Sequence, residues 1–190
     1  MSASGTSPVR RALRPVKRAV WRLEVEGSAA LARVRPVDVA IFHEFAPAPA
    51  GGANQTLRAV ISELERRDVR VGLNTVSPST RAILFNSFNF DAARLELMRA
   101  RAARARMVHR VGAVTTLYRG FDDGTDRRVA EMNATFADAT LAISHATIEM
   151  YRSIGVELVH PTVVYNACDR RIFNFSKLTR IECLDLRTSL

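Results

Sequence analysis

From residue 37 onward, short apolar runs rich in β-branched and aromatic residues alternate with segments of helical period, and this rhythm narrows the possible folds more than any other feature. The first run is Val37-Asp38-Val39-Ala40-Ile41-Phe42, which suits a buried parallel strand. A loop of prolines, alanines and glycines follows, and then Leu57, Val60, Ile61 and Leu64 mark one face of a helix that ends in Glu65-Arg66-Arg67-Asp68. Further strands are predicted over 69–73, 82–85, 107–111, 139–143 and 161–165. Between them the pattern predicts a helix capped by Asp91 and carrying Leu95, Leu97 and Met98, then a polar segment over 118–126. A helix over 127–136 with Val129, Met132 and Phe136 inward comes next, and a last one begins after Ser144 and ends near Ile154-Gly155. Such alternation at short loops predicts an α/β fold, a Rossmann-like parallel sheet with helices on both faces. Ligands of these sheets sit beyond the carboxyl ends of the strands, so the segments just after each strand are where functional residues belong.

With 190 residues and 47% hydrophobic content the chain can bury one core, which makes it a single domain with an added arm. The arm is residues 1–35, where eight basic residues face only Glu24 and Glu26 and hold +6 of the net +9. A basic terminal segment of this kind reads as a solvated arm. It also reads as a membrane-surface helix, since Val9, Leu13, Val16, Val20 and Leu23 recur at helical spacing opposite arginines, with Pro15 interrupting. Nucleic acid ranks last as a partner, because Trp21 has no aromatic companions for base stacking. No apolar run reaches the roughly 20 residues that span a bilayer, and the arginines leave no uninterrupted core for a secretory signal. The expected location is therefore cytoplasmic, with the inner face of the plasma membrane as the option the arm leaves open. Cys168 and Cys183 supply neither a disulfide framework nor a metal cluster.

After the first strand stands His43-Glu44-Phe45, followed by Gly51-Gly52-Ala53-Asn54-Gln55 at the head of a helix. Paired glycines there leave backbone N–H groups uncovered at the positive end of the helix dipole, which suits a phosphate or diphosphate; they also suit a plain tight turn. Neither G-x-G-x-x-G nor a lysine-bearing P-loop is present, which disfavours dinucleotide and ATP binding. His43 and Glu44 read equally as loop polar groups, and His145 and His160 have no metal-ligand spacing. The acidic Asp122-Asp123-Gly124-Thr125-Asp126 is too sparse for an EF-hand, so Asp126 or Thr125 is expected to cap the following helix. Ser144 and Asp169 take similar structural readings, and the lack of G-x-S-x-G removes a serine hydrolase.

Several of these stretches together resemble glycosyltransferase family 4: the His43 and Gly51 segments, Phe85-Asn86-Ser87-Phe88, Val108-His109-Arg110-Val111, Leu117-Tyr118-Arg119-Gly120 and Asp122 to Arg128. Phe136-Ala137-Asp138-Ala139-Thr140 and Val164-Tyr165-Asn166-Ala167-Cys168-Asp169 with Ile172-Phe173 complete the likeness, which runs over residues 37–174. The resemblance implies the N-terminal, acceptor-side half of a GT-B fold, in which two Rossmann-like domains face each other across a cleft. It implies a metal-independent, cofactor-free, hexosyltransferase-type enzyme that retains anomeric configuration. Sugar would pass from a nucleotide-sugar donor to a hydroxyl of a glycan or lipid-linked acceptor, in the making of surface polysaccharide. It further implies that Gly51, Gly52 and Asn54 contact substrate at the donor diphosphate, that Arg110 adds positive charge beside the departing diphosphate, and that His109 faces the reacting sugar as the catalytic group. Read without the family, His109 is equally a satisfied histidine at a strand end.

Gly112 stands where relatives carry the aspartate of a D-G-P turn, and Cys168 where valine is common. After Asn174 the family continues through a hinge into the donor domain, whereas residues 175–190 bear no family likeness, so the resemblance implies a truncated enzyme inactive on its own. The competing reading is a non-catalytic binding or scaffold domain; a free-standing nucleotide-binding Rossmann protein is disfavoured by the missing fingerprint.

Overall fold

The computed structural model describes residues 36–45, 51–86 and 92–166, together with Ala19, Val20, Leu23 and Gly27. The expectations for residues 1–35 rest almost wholly outside these, as do the Asp91 cap, Asp169, both cysteines and the segment 175–190.

Six strands form one parallel sheet in the order β2-β1-β3-β4-β5-β6: β1 (Val39–Phe42), β2 (Val71–Leu73), β3 (Ala82–Asn86), β4 (Arg106–Val111), β5 (Ala139–Ala142) and β6 (Pro161–Val163). Each was predicted, within a few residues at its ends. The described helices are α1 (Gly52–Arg66), α2 (Ala92–Arg101), α3 (Thr115–Arg119), α4 (Thr125–Phe136) and α5 (His145–Ser153). The chain leaves β1 through α1 to reach β2 at one edge, then returns past β1 to β3 and proceeds outward. The order of the strands therefore reverses between β1 and β3, the place where open α/β sheets take their ligands.

Alternation along the strands sorts the side chains onto two unlike faces. One face carries Ala40, Phe42, Ile83, Phe85 and Met107, buried against Leu95 and Met98 of α2 and Met132 and Phe136 of α4. A second cluster joins Val111 and Ala142 to Val129 of α4 and Tyr151 of α5. The opposite face receives α1, through the fully buried Leu57. Val60, Ile61 and Leu64, the rest of the predicted inward stripe of α1, are only half-buried.

At its foot the β1–β2 pair is fixed by Asp38, whose carboxylate accepts from the Arg70 guanidinium through two bonds of 2.7 Å and from the Arg70 backbone N–H at 3.1 Å. These bonds to Arg70 hold the Asp38 carboxyl far below the usual carboxylate range.

The helix starts divide into one that follows the expected pattern and one that does not. Ser144 caps α5, its hydroxyl accepting from the Thr147 N–H at 3.1 Å. At α4 the cap residue is Gly124, in the left-handed conformation at φ 75°, so neither Thr125 nor Asp126 caps it. Asp126 lies inside α4 and reaches back to α3, a helix the sequence pattern does not predict and which overlaps the expected polar segment only at residues 118–119. Its two carboxylate oxygens accept from the N–H groups of Thr115 and Thr116, each at 2.7 Å, and so cap α3. Burial raises the pKa of this carboxyl, but the bonds from Thr116 and Thr115 outweigh it and leave the group below its ordinary value. Because the folded-state pKa is depressed, the stabilisation is present at neutral pH and is lost as the pH falls through that pKa. Asp126→Ala is expected to cost about 2–3 kcal/mol at pH 7, the worth of charge-assisted bonds from a buried carboxylate to two part-buried backbone donors. Urea titrations at pH 7 and pH 3 should show the gap between the two proteins closing in acid.

Candidate functional site

The site follows from strand register. Ile41 of β1 pairs with Leu84 of β3, and Asn86 of β3 with Arg110 of β4. Two residues beyond Ile41 and Leu84 on the same face come His43 and Asn86, so His43, Asn86 and Arg110 form a row across the carboxyl ends of β1, β3 and β4. This row lies on the α1 face, at the reversal of strand order.

A single chain of hydrogen bonds runs along the row. Arg110 donates to Asn86 Oδ1 at 2.9 Å, and its other terminal nitrogen donates to Asn166 Oδ1 at 3.2 Å. With its oxygen committed to the guanidinium, the Asn86 amide turns Nδ2 toward His43 Nδ1, 3.4 Å away. That bond needs Nδ1 as acceptor, which assigns a neutral imidazole carrying its proton on Nε2. His43 is 6% exposed and Arg110 9% exposed. Burial lowers the His43 pKa, and the Arg110 charge lowers it further. Burial also lowers the Arg110 pKa.

Asn74 holds the His43 backbone with both ends of its amide: Oδ1 accepts from the His43 N–H at 3.1 Å and Nδ2 donates to the His43 carbonyl at 2.9 Å. It does so from a left-handed backbone at φ 51°, a conformation asparagine tolerates better than most side chains.

Gly51 and Gly52 stand at the head of α1, both exposed, with open space where a Cβ would project. Among the described residues no side chain caps this helix, and its first turn holds no acidic residue to offset the positive end of its dipole. The Gly51 carbonyl accepts from Asn54 and Gln55 in the first turn. Asn54 is buried, at 4% exposure, which puts its side chain within the domain and not on the open side of the loop.

His109 is not part of the row. It neighbours Arg110, and adjacent residues of a strand point to opposite faces, so the two side chains lie on opposite faces of the sheet. Its ring is fully buried, stacks on Phe85 with centroids 4.3 Å apart, and its Nδ1 lies 3.1 Å from Asn133 Nδ2 in α4. This places the His109 ring beneath α4, against Phe85 and Asn133. Gly112, just beyond β4, is half-buried and brings no carboxylate to the carboxyl ends.

Asn74, Asn86 and Asn166 were missed in the sequence as site residues. Asn86 and Asn166 lay in stretches already singled out, but asparagine after a strand is common turn chemistry, and only the register shows that these two flank one guanidinium.

A neutral His43 carries a pH signature. The unfolded imidazole takes up its proton near pH 6.5 and the folded one only at lower pH, so between the two values the unfolded state binds more protons. Stability should therefore fall as the pH drops below about 6.5. His43→Gln should flatten that slope in urea midpoints measured from pH 7.5 to 5.5, and an unchanged slope would show that the ring is not held neutral.

Among known proteins, no family model matches the chain and no curated protein matches it. Two crystal structures of Anabaena Alr3699/HepE, one in complex with UDP and one with UDP-glucose, are similar at 17% and 18% identity, with TM-scores of 0.48 and 0.47. In each case the match covers 80% of this chain and 49% of the other, so this chain spans about half the length of those proteins. The likeness is one of partial shape, and no residue role is transferred from it.

Proposed function

We propose that this domain is the acceptor-side half of a glycosyltransferase cleft and that its carboxyl-end row meets the diphosphate of a nucleotide-sugar donor. The observation that carries the proposal is the buried Arg110, oriented by Asn86 and Asn166 at the reversal of strand order and lining one groove with Thr56 and Leu57 from the early turns of α1. A diphosphate laid across this end of the sheet would take two kinds of donor, a desolvated guanidinium and backbone N–H groups at a helix start. In a transfer reaction both would stabilise the negative charge that builds on the departing diphosphate. The sugar acceptor would lie on the same side, and the donor's nucleoside would be held by a second domain. Gly51, Gly52 and Arg110 keep their expected substrate-binding roles in this proposal, and His43, Asn86 and Asn166 join as positioning residues.

Pyrophosphate, UDP and uridine distinguish this reading from a scaffold domain. Because the nucleoside's partner is the other half, pyrophosphate and UDP should bind weakly and alike, and uridine not at all, in calorimetric titrations of the full chain. Gly52→Ala should leave the fold intact, since the site has room for the methyl and alanine favours helix. It should nonetheless weaken pyrophosphate binding several-fold by crowding the approach to the N–H groups. Equal binding by uridine, or none by pyrophosphate, would overturn the proposal.

A further inference from the structure

Three side chains fasten His43, more than a polar residue after a strand needs. Asn74 takes both its backbone N–H and its carbonyl, at 3.1 and 2.9 Å, and keeps a left-handed φ of 51° in doing so. A residue kept in a sparsely populated backbone region to hold a neighbour marks that neighbour as a position the fold specifies. The ring is gripped separately. Phe45 meets it at right angles, 89° with centroids 5.0 Å apart, and the Arg58 guanidinium of α1 lies over Phe45, 5.7 Å from its centroid. Asn86 brings Nδ2 to the His43 Nδ1, and because its Oδ1 is committed to Arg110 the amide cannot turn round to accept from that nitrogen. The ring proton is thus fixed on Nε2, a nitrogen that neither Asn74 nor Asn86 uses.

We propose that His43 does more than hold Asn86, and that its Nε2–H donates to an uncharged oxygen of the sugar that the diphosphate carries. This rests on the diphosphate reading of the row. The direction follows from the ring: the two nitrogens of an imidazole face away from each other, so with Nδ1 turned along the row toward Asn86 and Arg110, Nε2 turns away from the guanidinium. A group bonded there is not the phosphoryl at Arg110 but what is attached to it. With the nucleoside assigned to the other half, that is the sugar. The kind of oxygen follows from charge. Burial and the Arg110 charge keep the ring neutral, which suits a hydroxyl or ring oxygen, whereas a second anion would be met better by an imidazolium. The fixed proton also bars Nε2 from accepting one, so His43 recognises the sugar and does not act as a base.

Asparagine and glutamine separate contact from support, because by chain length asparagine sets its amide where Nδ1 stood and glutamine where Nε2 stood. The full chain and both variants are titrated calorimetrically with UDP and with UDP-glucose, and circular dichroism checks that each is folded. In His43→Asn the preference for UDP-glucose over UDP should fall about three- to tenfold, the worth of one neutral hydrogen bond, and in His43→Gln it should stay near that of the unaltered protein. A histidine that only supported Asn86 would leave the preference unchanged in both variants, with His43→Gln weakening the two ligands together, and that pattern overturns the proposal. The nitrogen resonances of His43 give a second reading that needs no variant: Nε2 should carry the proton and should shift with UDP-glucose far more than with UDP. A proton on Nδ1, or equal shifts with both ligands, overturns the sugar contact while the diphosphate reading stands. No binding of either ligand to the unaltered protein would overturn the diphosphate reading, and this proposal with it.

Discussion

Asn133→Ala is expected to cost about 4 kcal/mol, a large part of the 5–15 kcal/mol that holds a domain of this size together. Asn133 is 1% exposed and joins three elements through one amide. Its Nδ2 donates to Thr140 Oγ1 at 2.7 Å and lies 3.1 Å from His109 Nδ1, while Oδ1 accepts from the Val159 N–H at 2.8 Å. Thr140 Oγ1 in turn donates to the Val159 carbonyl at 2.7 Å. Truncation would strip the partner from the part-buried Val159 N–H, at about 1–3 kcal/mol for an unmade bond, and would also remove the bond to Thr140 Oγ1, the contact to His109 and the packing of the amide between three elements. The urea midpoint should fall by roughly 2 M for a slope near 2 kcal/mol/M. A fall of less than half that would mean water or a rearranged side chain replaces the amide.

Arg110→Met carries the largest expected effect on binding, a weakening of pyrophosphate by about 10- to 100-fold, the worth of charge-assisted bonds in a desolvated site. Stability should move little by comparison. The substitution removes donors from the amide oxygens of Asn86 and Asn166, but it also removes a buried charge, and these act in opposite directions. Arg110→Lys should recover only part of the binding, because an ammonium cannot hold both amides and the anion in one plane. Equal losses for both variants would point to geometry as the dominant effect, and no loss for either would place the anion elsewhere.

The strands and four of the five described helices were legible in the sequence because each carries an apolar period matched to its type. Register was not legible, and it decides the site: the same one-residue offset that sends Arg110 to the open face sends His109 under α4. No local pattern distinguishes those two outcomes, because both neighbours are polar residues near a strand end. Asp126 shows the same limit. An acidic residue at a helix start reads as that helix's own cap, and only the packed structure shows it serving Thr115 and Thr116 of the preceding one. The half-buried stripe of α1 had a further cause: Val60 and Leu64 face a groove and not a closed core.

The central claim, that a diphosphate meets the row at the reversal between β1 and β3, is tested most directly by following backbone and side-chain amide signals during a pyrophosphate titration. Gly51, Gly52, the side-chain amides of Asn86 and Asn166 and the Arg110 guanidinium should shift together on one binding curve, while Asn133 and the ring of His109 stay still. Shifts confined to the His109 and Asn133 side of the sheet, or spread over exposed arginines without those five groups, would contradict it.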